Sequence, residues 1–456
     1  MPTVNQKLSR WGLNVKKYLF TAPGNQVAAN SAWELEDFRQ SVEFCINAPF
    51  GEVDARHRAA ELGAAYTACN QDLQRQVLIM LTEEFGNDDE LIDRYIKQYQ
   101  AADDIGRKQA ATALREALKP RRFALLTRFT SLADGVRFLV DMRSQVLECL
   151  RQGDKLATLD ADLTELFRLW FDPGFLDVQR VTWSSSASLL EKLMEYEANH
   201  SIVSWQDLKN RLDGDRRCYT LFHPRMPEEP LAILHVALTK GIASNVQHLL
   251  DVNNPYTNPE DADTAVFYSI TSPQKGLRGI SFGEYLIKQA VKELRSELPD
   301  LRTFVTLSPV PGFRPWLEKN FVEGDFDQLP FSATTFGAAL ASLGTAAKPI
   351  WLPELENLLK RKCLQYLTTM DRGRPINSVA RFHLRNGAYI HRINLFGDMS
   401  ENGINSAAGM MVNYGYSLKH MEENLTTLQS GKLPVAAGLY KSARQLGLSV
   451  EHLVSV

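Results

Sequence analysis

Ser308 is the first residue of this 456-residue chain whose surroundings suggest chemistry, because it follows an apolar strand pattern and precedes two prolines. The run Thr303-Phe-Val-Thr-Leu predicts a buried strand that ends at Ser308. In Ser-Pro-Val-Pro-Gly-Phe the prolines stop the strand and restrict the backbone of the serine, so its hydroxyl would be held in place. Taken alone, the pattern also fits an ordinary Ser-Pro turn residue.

A glycine-rich turn upstream of Ser308 is the second candidate site. Gln274-Lys-Gly-Leu-Arg-Gly-Ile-Ser-Phe-Gly follows a strand pattern that begins at Thr264, and an amphipathic helix pattern begins near Ser281. Free backbone N–H groups on such a turn, at the start of a helix, form a natural cradle for a pyrophosphate. The context resembles the coenzyme A-binding turn of acetyltransferase-like folds, although the Gln-x-Gly-x-x-Gly spacing departs from their usual Gln-x-x-Gly-x-Gly.

His383 is the third candidate, within Asn377-Ser-Val-Ala-Arg-Phe-His-Leu-Arg-Asn-Gly-Ala. This segment resembles the acetyltransferase segment in which a helix carries Phe-Tyr, ends at a glycine and leads into a strand. In that superfamily the tyrosine lies beside the sulfur of coenzyme A, and His383 occupies the matching position. A histidine there would bring a proton carrier that works at neutral pH to the thioester, whereas a lone helical histidine is more often structural.

Together, Ser308 and His383 are compatible with three reactions of a coenzyme A thioester. Acyl transfer needs an acceptor cleft and a base for the incoming amine. A thioesterase normally adds an acidic third member and a Gly-x-Ser-x-Gly elbow, and the sequence contains no such elbow at Ser308. Decarboxylation of a β-carboxy thioester needs only enolate stabilisation and protonation of a carbon, because the thioester carbonyl is the electron sink. The residues alone leave these alternatives open.

The elements that must position these residues occupy the second half of the chain, since the first half is helical in pattern and carries no chemistry that we can identify. After Phe171-Asp-Pro-Gly, strands alternate with helices, which predicts a mixed α/β domain. Strand patterns at 219–223 and 231–238 suggest a hairpin, and the last strand-like run begins at Tyr389. The predicted helices span 33–44, 53–68, 72–84, 88–101, 108–117, 121–130, 132–149 and 160–171, then 334–343 and 353–368 in an insertion, and finally 439–446.

Composition and charge restrict the possible partners. The formal net charge of −3 argues against nucleic acid or an anionic membrane as a bulk partner. The five scattered cysteines include no Cys-x-x-Cys pair, which fits a reducing compartment and argues against a structural zinc site. No apolar run reaches the length of a membrane span. Near the glycine turn, three cations could contact coenzyme A phosphates or be solvated side chains: Lys275, Arg278 and Lys288.

Several segments, in family order, are similar to the malonyl-CoA decarboxylase family. They include His223-Pro-Arg-Met-Pro-Glu-Glu-Pro-Leu, Leu307-Ser-Pro-Val-Pro-Gly-Phe, Ala380-Arg-Phe-His-Leu-Arg-Asn-Gly-Ala and Val412-Asn-Tyr-Gly-Tyr. The resemblance implies conversion of malonyl-CoA to acetyl-CoA and carbon dioxide. No cofactor or metal is implied, since coenzyme A is part of the substrate. The rival functions are an acyl-CoA N-acetyltransferase and a non-catalytic coenzyme A-binding sensor.

The family also implies an α+β two-domain architecture. An all-α N-terminal helical bundle, residues 1–172, would mediate assembly into a homodimer or homotetramer. A GNAT (acetyltransferase)-like mixed α/β domain, residues 173–456, would be catalytic. We expect the protein in the cytoplasm, or in mitochondria if the source is eukaryotic, and we interpret its basic first thirty residues as a helix rather than a transit peptide.

The resemblance assigns roles to individual positions of this sequence. It implies that Ser308 and His383 are catalytic and that Tyr416, the second tyrosine of Asn-Tyr-Gly-Tyr, lies at the same site. Where family members can carry an acid, this chain has Ser281, so no role of that acid transfers. The implied coenzyme-binding turn comprises Arg278, Gly279, Ile280, Ser281, Phe282, Gly283 and Glu284.

Overall fold

The computed structural model describes residues 33–456 except 213, 254–256, 281, 344–348 and 418. The chain divides into two compact units. One consists of the residues up to Gly135 together with Glu148–Leu159, and the other of Val136–Leu147 together with Asp160–Val456. The domain boundary expected between residues 172 and 173 stays a prediction. The basic N-terminal segment and Ser281 of the expected coenzyme turn lie outside the described residues.

The first unit is helical, which confirms the prediction from its amphipathic patterns. Asn70, Asp88 and Asp103 each cap a helix by accepting a hydrogen bond from the backbone N–H three residues later. The predicted helix at 108–117 begins earlier, directly after the Asp103 cap. The helices are α1 (Leu35–Asn47), α2 (Glu52–Ala68), α3 (Gln71–Glu83), α4 (Asp89–Ala101), α5 (Asp104–Ala117) and α6 (Arg122–Arg128), followed by α7 (Gly135–Arg151) and α8 (Ala157–Trp170), which have residues in both units.

The second unit is built on a mixed sheet with helices on it, which confirms the mixed α/β domain predicted from the alternating strand and helix patterns. In this sheet β2 and β3 form the predicted antiparallel hairpin, and β4 and β5 are parallel and joined by α12. In chain order the first elements are β1 (Asp177–Val181), α9 (Ala187–Tyr196), α10 (Trp205–Arg211), β2 (Arg216–Phe222), β3 (Ala232–Thr239), α11 (Val246–Leu250), β4 (Thr264–Thr271), α12 (Gly283–Glu297), β5 (Thr303–Thr306) and β6 (Ser308–Pro309).

The insertion and the C-terminal part complete this unit. Both helices predicted for the insertion are present, as α14 and α15. The elements are α13 (Phe313–Lys319), α14 (Phe336–Ser342), α15 (Leu352–Thr368), β7 (Met370–Asp371), β8 (Arg374–Pro375), α16 (Ser378–Arg385), β9 (Tyr389–Asn394), α17 (Glu401–Ala407), β10 (Met411–Gly415), α18 (Met421–Gln429), β11 (Leu433–Val435), α19 (Ala437–Gln445) and β12 (Leu453–Ser455).

The prediction that the last strand begins at Tyr389 was wrong. Three more strands follow it, and the first of them, β10, lies between β5 and β9 near the middle of the sheet. The strand order is β1-β2-β3-β4-β5-β10-β9-β11-β12, with β6 paired to β10. These late strands are short, and β10 contains Asn413 and Gly415, so they lack the apolar alternation by which a strand is recognised in a sequence.

The parallel strands β4 and β5 separate next to Ser308. Their pairing ends at Phe267 and Thr306, whereas β4 continues to Thr271. Ser308 pairs instead with Val412 of β10. The sheet therefore opens between two neighbouring parallel strands at the position where the candidate serine lies. No helix of the described residues is long and apolar enough to cross a bilayer.

Candidate active site

Ser308 is held by strand pairing on one side and by an anchored loop on the other. Its hydroxyl is buried, and its backbone pairs with Val412 in β10. The loop that follows is fixed at one carbonyl, that of Pro311. This oxygen accepts hydrogen bonds from the Tyr366 hydroxyl (3.0 Å) and from Nδ2 of Asn377 (3.1 Å). The side chain is thus held in place, as the two prolines of the motif predict.

His383 lies on α16, whose start is tied to the same loop. Asn377 caps this helix by accepting the N–H of Ala380 at its Oδ1 (2.8 Å), while its Nδ2 donates to Pro311. One fully buried asparagine therefore sets the relative position of the helix that carries His383 and the loop that follows Ser308. The outcome is a contact of 3.0 Å between Nε2 of His383 and Oγ of Ser308.

Tyr416 completes the cluster from the end of β10. Its backbone N–H donates to the carbonyl of Phe304 (2.8 Å), and its hydroxyl lies 2.8 Å from Nδ1 of His383. The ring of Tyr414 stacks on the imidazole, with 4.6 Å between the ring centroids. The structure thus brings together all three residues to which the family resemblance assigns the reaction.

Thr306 sets the direction of the hydrogen bonds through this cluster. Its Oγ1 accepts the Ser308 hydroxyl (2.9 Å) and the N–H of Tyr414 (3.1 Å). Because Ser308 has a single hydroxyl proton, its contact with His383 must be donated by Nε2–H. The neutral imidazole then accepts at Nδ1, where the Tyr416 hydroxyl donates. The donors therefore run in one direction, from Tyr416 through His383 and Ser308 to Thr306.

Burial keeps this chain of groups uncharged. It lowers the pKa of the His383 imidazole to about 3, because a charged ring would lose its hydration in the apolar interior. Burial also raises the pKa of the Tyr416 hydroxyl, and the nearby Glu284 carboxylate adds to this rise. At neutral pH the cluster consequently holds a neutral imidazole and a neutral phenol.

The glycine turn has the backbone geometry expected of an anion cradle. Gly279 has a φ of +88°, a conformation that side chains rarely adopt, and a Cβ at this position would meet no atom within 4 Å. Helix α12 begins at Gly283, so the N–H groups of its first turn have no partner within the helix. Phe282 is buried against Phe171, with 6.1 Å between the ring centroids, so only its backbone could face a ligand.

The side chains around the turn carry less free positive charge than the sequence suggested. Lys288 forms an ion pair with Glu284 one turn earlier on α12. Lys275 and Arg278 are exposed, and neither forms an ion pair with a described residue. Two of the three expected cations are therefore available to a phosphate, while the third neutralises the acid at the start of the helix.

The glycine turn lies near His383 because the start of α12 packs directly against α16. A Cβ at Gly283 would lie 2.2 Å from Cζ of Phe382, so only glycine permits this approach. Phe382 directly precedes His383 in the chain.

Sequence reasoning missed four residues that support the site. Thr306 could have been found, because it lies two residues before Ser308 on the same face of the strand. Asn377 also carried a signal, as an asparagine directly before an amphipathic helix. Tyr414 is the first tyrosine of the Asn-Tyr-Gly-Tyr motif, but no role was predicted for it. Arg143, which binds the glycine turn from α7, had no signal at all in the sequence.

Other polar groups of this unit do not form a metal centre. Among the described residues, no group of three or more His, Cys, Asp or Glu side chains is arranged to hold a metal ion. His235 is fully buried 3.4 Å from Glu197, where burial lowers the pKa of the imidazole to about 4. Glu197 also accepts the Ser269 hydroxyl, so it anchors the loop after α9 to the sheet.

Comparison with known proteins gives one consistent result. The "Malonyl-CoA decarboxylase N-terminal domain" matches residues 85–171, and the "Malonyl-CoA decarboxylase C-terminal domain" matches residues 174–450. The mitochondrial malonyl-CoA decarboxylase of Anser anser anser is 36% identical over 403 residues, which cover 81% of this chain and 80% of that protein.

Solved structures agree with these matches. A crystal structure of malonyl-CoA decarboxylase from Rhodopseudomonas palustris is 38% identical, with a TM-score of 0.79, and the match covers 90% of this chain and 100% of that one. A crystal structure from Agrobacterium vitis is 37% identical, with a TM-score of 0.80 and coverage of 89% and 99%. Because sequence and fold agree over most of its length, the chain belongs to the malonyl-CoA decarboxylase family.

Proposed function

We propose that this chain decarboxylates malonyl-CoA to acetyl-CoA and carbon dioxide. The observation that carries the proposal is the buried hydrogen-bond chain from Tyr416 through His383 to Ser308, in a member of this family. It is uncharged, directional and adjacent to a turn suited to a pyrophosphate. These are the properties that an enolate-forming decarboxylation needs, because the enzyme must supply donors and one proton.

The coenzyme binds along the turn and the opening of the sheet. The N–H of Gly279 and the N–H groups of Gly283 and Glu284 at the start of α12 bind the diphosphate, with Gly279 offering the freest approach. The pantetheine passes between β4 and β5, where their pairing stops after Phe267 and Thr306. This path places the thioester beside Ser308. No further cofactor enters the proposed reaction, because the substrate's own thioester accepts the electron pair.

The reaction proceeds by loss of carbon dioxide and then by protonation of carbon. When the bond from C2 to the carboxylate breaks, its electron pair moves onto C2 and the thioester oxygen. The Ser308 hydroxyl turns from Thr306 to the substrate and gives its proton to C2. Ser308 regains a proton from Nε2 of His383, and Tyr416 returns one to Nδ1. This leaves His383 as its Nδ1–H tautomer. Solvent then restores the proton of Tyr416, and proton exchange after product release returns His383 to its Nε2–H tautomer, so one net proton is consumed for each carbon dioxide released.

The same direction of hydrogen bonding disfavours a serine nucleophile. A nucleophilic serine needs a neighbouring base that can take its proton. Here Nε2 of His383 carries a proton and donates it toward Ser308, so the imidazole cannot act as that base in this arrangement. The thioesterase alternative therefore has less support from the geometry than decarboxylation has.

The decisive experiment is incubation of the purified full chain with malonyl-CoA, without added acceptor, metal or ATP. We expect acetyl-CoA and carbon dioxide in equal amounts. Free coenzyme A with malonate would instead identify a thioesterase. Product formed only after an amine acceptor is added would identify an acetyltransferase. Tight binding of acetyl-CoA with no turnover of malonyl-CoA would identify a sensor.

We also propose that the helical region mediates assembly into a homodimer or homotetramer. Helices α4 and α5 expose large apolar side chains: Ile96 is 38% exposed, Tyr99 43% and Ile105 74%. Exposed apolar clusters are typical of protein interfaces. Light scattering should show a multimer that Ile105→Glu dissociates, whereas Val203→Glu in the second unit leaves it intact. A monomeric wild-type chain would contradict this proposal. The compartment, cytoplasmic or mitochondrial, stays a prediction.

A further inference from the structure

Arg143 is a buried cation whose hydrogen bonds are directed at the glycine turn. It lies on the part of α7 that belongs to the second unit, and only 4% of it is exposed. Its Nη1 donates to the carbonyls of Gly276 (2.7 Å) and Arg278 (2.9 Å), and its Nε donates to Asp160 (2.7 Å). The guanidinium is thus paired with the Asp160 carboxylate and hydrogen-bonded to two carbonyls of the glycine turn.

These hydrogen bonds determine where one backbone donor points. In a planar trans peptide, the carbonyl of residue 278 and the N–H of residue 279 point in opposite directions. The Arg278 carbonyl faces Arg143, so the N–H of Gly279 faces away from α7. This N–H donates to no described residue, and the space around Gly279 is open. The result is an unpaired backbone donor that is fixed in direction and accessible to a ligand.

The turn is also pressed against the backbone of α7. A Cβ at Gly276 would lie 1.8 Å from the carbonyl oxygen of Val140, so the two backbones are in direct contact. Arg143 lies less than one helical turn after Val140. Backbone packing and the two hydrogen bonds from the guanidinium therefore hold the turn from the same side, which leaves the opposite side to the ligand.

We propose that Arg143 is a positioning residue for coenzyme A binding: by holding the Arg278 carbonyl it aims the N–H of Gly279 at the diphosphate. The inference rests on the proposed function, because that function names the ligand of the turn. Asp160 neutralises the guanidinium, so Arg143 acts through the geometry of the turn and not by attracting phosphate directly. Its effect should therefore be confined to substrates that contain the diphosphate.

The test compares ligands with and without that group, using the full chain. Calorimetry measures binding of acetyl-CoA and of S-acetylpantetheine, which lacks the diphosphate. Steady-state kinetics compares malonyl-CoA with malonyl-pantetheine. The variants are Arg143→Met, Arg143→Lys and the milder Asp160→Asn. The matched control is Arg151→Met on the same helix, because Arg151 is exposed and its one ion pair with a described residue is with Glu148.

We expect Arg143→Met to weaken acetyl-CoA binding roughly tenfold, the effect of losing hydrogen bonds from a charged donor, with little change for S-acetylpantetheine. The rise in KM for malonyl-CoA should exceed the fall in kcat, and Arg143→Lys should recover part of the affinity. If Arg143→Met does not fold, Asp160→Asn should show the same ligand preference to a smaller degree.

Equal losses for both ligands, or no loss for either, would overturn the inference. The binding data decide it even if the wild-type chain binds acetyl-CoA but does not turn over malonyl-CoA. In that case the proposed function fails, while the comparison between the two ligands still tests the role of Arg143.

Discussion

Ser308, His383 and Tyr416 form one hydrogen-bonded unit, because each side chain has one proton to donate and a neighbour that accepts it. Thr306 is the last acceptor in this series of hydrogen bonds, because its Oγ1 accepts from both the Ser308 hydroxyl and the backbone N–H of Tyr414. Burial raises the pKa of the Tyr416 hydroxyl, and the charge of the Glu284 carboxylate raises it further. At the scale of single residues, the site is therefore a buried series of hydrogen bonds that all point in one direction.

Replacing Ser308 or His383 should stop the delivery of a proton to the substrate. Ser308→Ala and His383→Asn should each lower kcat by roughly 10²–10⁴-fold, the range typical of a lost acid–base group. Steady-state release of carbon dioxide from malonyl-CoA measures this, with circular dichroism to show that the variants fold. His420→Asn is the control, because His420 is exposed on the surface. Near-normal turnover in a folded Ser308→Ala or His383→Asn would refute their assignment.

The pH profile of kcat should show no titration near pH 6.5, where an ordinary histidine loses its proton. Burial lowers the pKa of His383 to about 3 and raises that of Tyr416, so neither group titrates between about pH 5 and 9. We expect kcat for malonyl-CoA to be flat across this range. Saturating rates in constant-ionic-strength buffers measure it. An acid limb with an apparent pKa near 6.5 would mean that His383 is hydrated in the substrate complex.

At the scale of elements, the site depends on helices that contribute no reacting group. Helix α15 of the insertion supplies Tyr366, and the start of α16 supplies Asn377. Both side chains donate a hydrogen bond to the carbonyl of Pro311, three residues after Ser308. A Cβ at Gly312 would lie 3.0 Å from the Tyr366 hydroxyl, so the loop and α15 are closely packed. The insertion therefore has a structural role in holding the loop that carries the serine.

This role can be tested at one hydroxyl. Tyr366→Phe keeps the ring packing but removes one of the two hydrogen bonds to Pro311. We expect kcat to fall about tenfold with KM nearly unchanged, because the serine would be less well positioned while the coenzyme turn is untouched. Tyr99→Phe, an exposed tyrosine on α4, is the control. A change in KM alone would place Tyr366 in coenzyme binding instead.

At the scale of the whole molecule, the second unit buries histidines that are neutral in the folded state. Burial lowers the pKa of His383 to about 3 and of His235 to about 4, from an ordinary 6.5. Between pH 6.5 and 4 the unfolded chain therefore binds more protons than the folded one. These histidines therefore make their full contribution to the free energy of unfolding above pH 6.5, and this contribution is lost as the pH falls.

His383→Gln should reduce this dependence on pH. Removing one such imidazole should flatten the slope of the unfolding free energy by roughly 1 kcal/mol per pH unit between pH 6 and 4. Urea unfolding of the second unit, followed by tryptophan fluorescence at several pH values, measures the slope. His420→Gln should leave it unchanged, because that imidazole is exposed in both states. An identical slope for His383→Gln and the wild-type chain would show that His383 is not buried neutral.

Helices and long strands were predictable because each carries its own periodic signal. The helices from α1 to α8 and the strands β2 to β4 begin and end within a few residues of the predicted bounds. The strands β10 to β12 were not predictable, because they are only three to five residues long and contain too little alternation. Their partners lie elsewhere in the sheet: β10 pairs with β5 and β9, β11 with β9, and β12 with β11.

The sequence by itself indicated the family, and it predicted Ser308, His383 and the glycine turn as site residues, because each lies in a motif that is contiguous along the chain. It could not determine the direction of proton donation, which depends on Thr306 accepting from both the Ser308 hydroxyl and the N–H of Tyr414 on another strand. Nor could it show that Arg143 reaches Gly276 and Arg278, more than one hundred residues along the chain. Such contacts depend on distances in space, and only the tertiary structure decides which residues become neighbours.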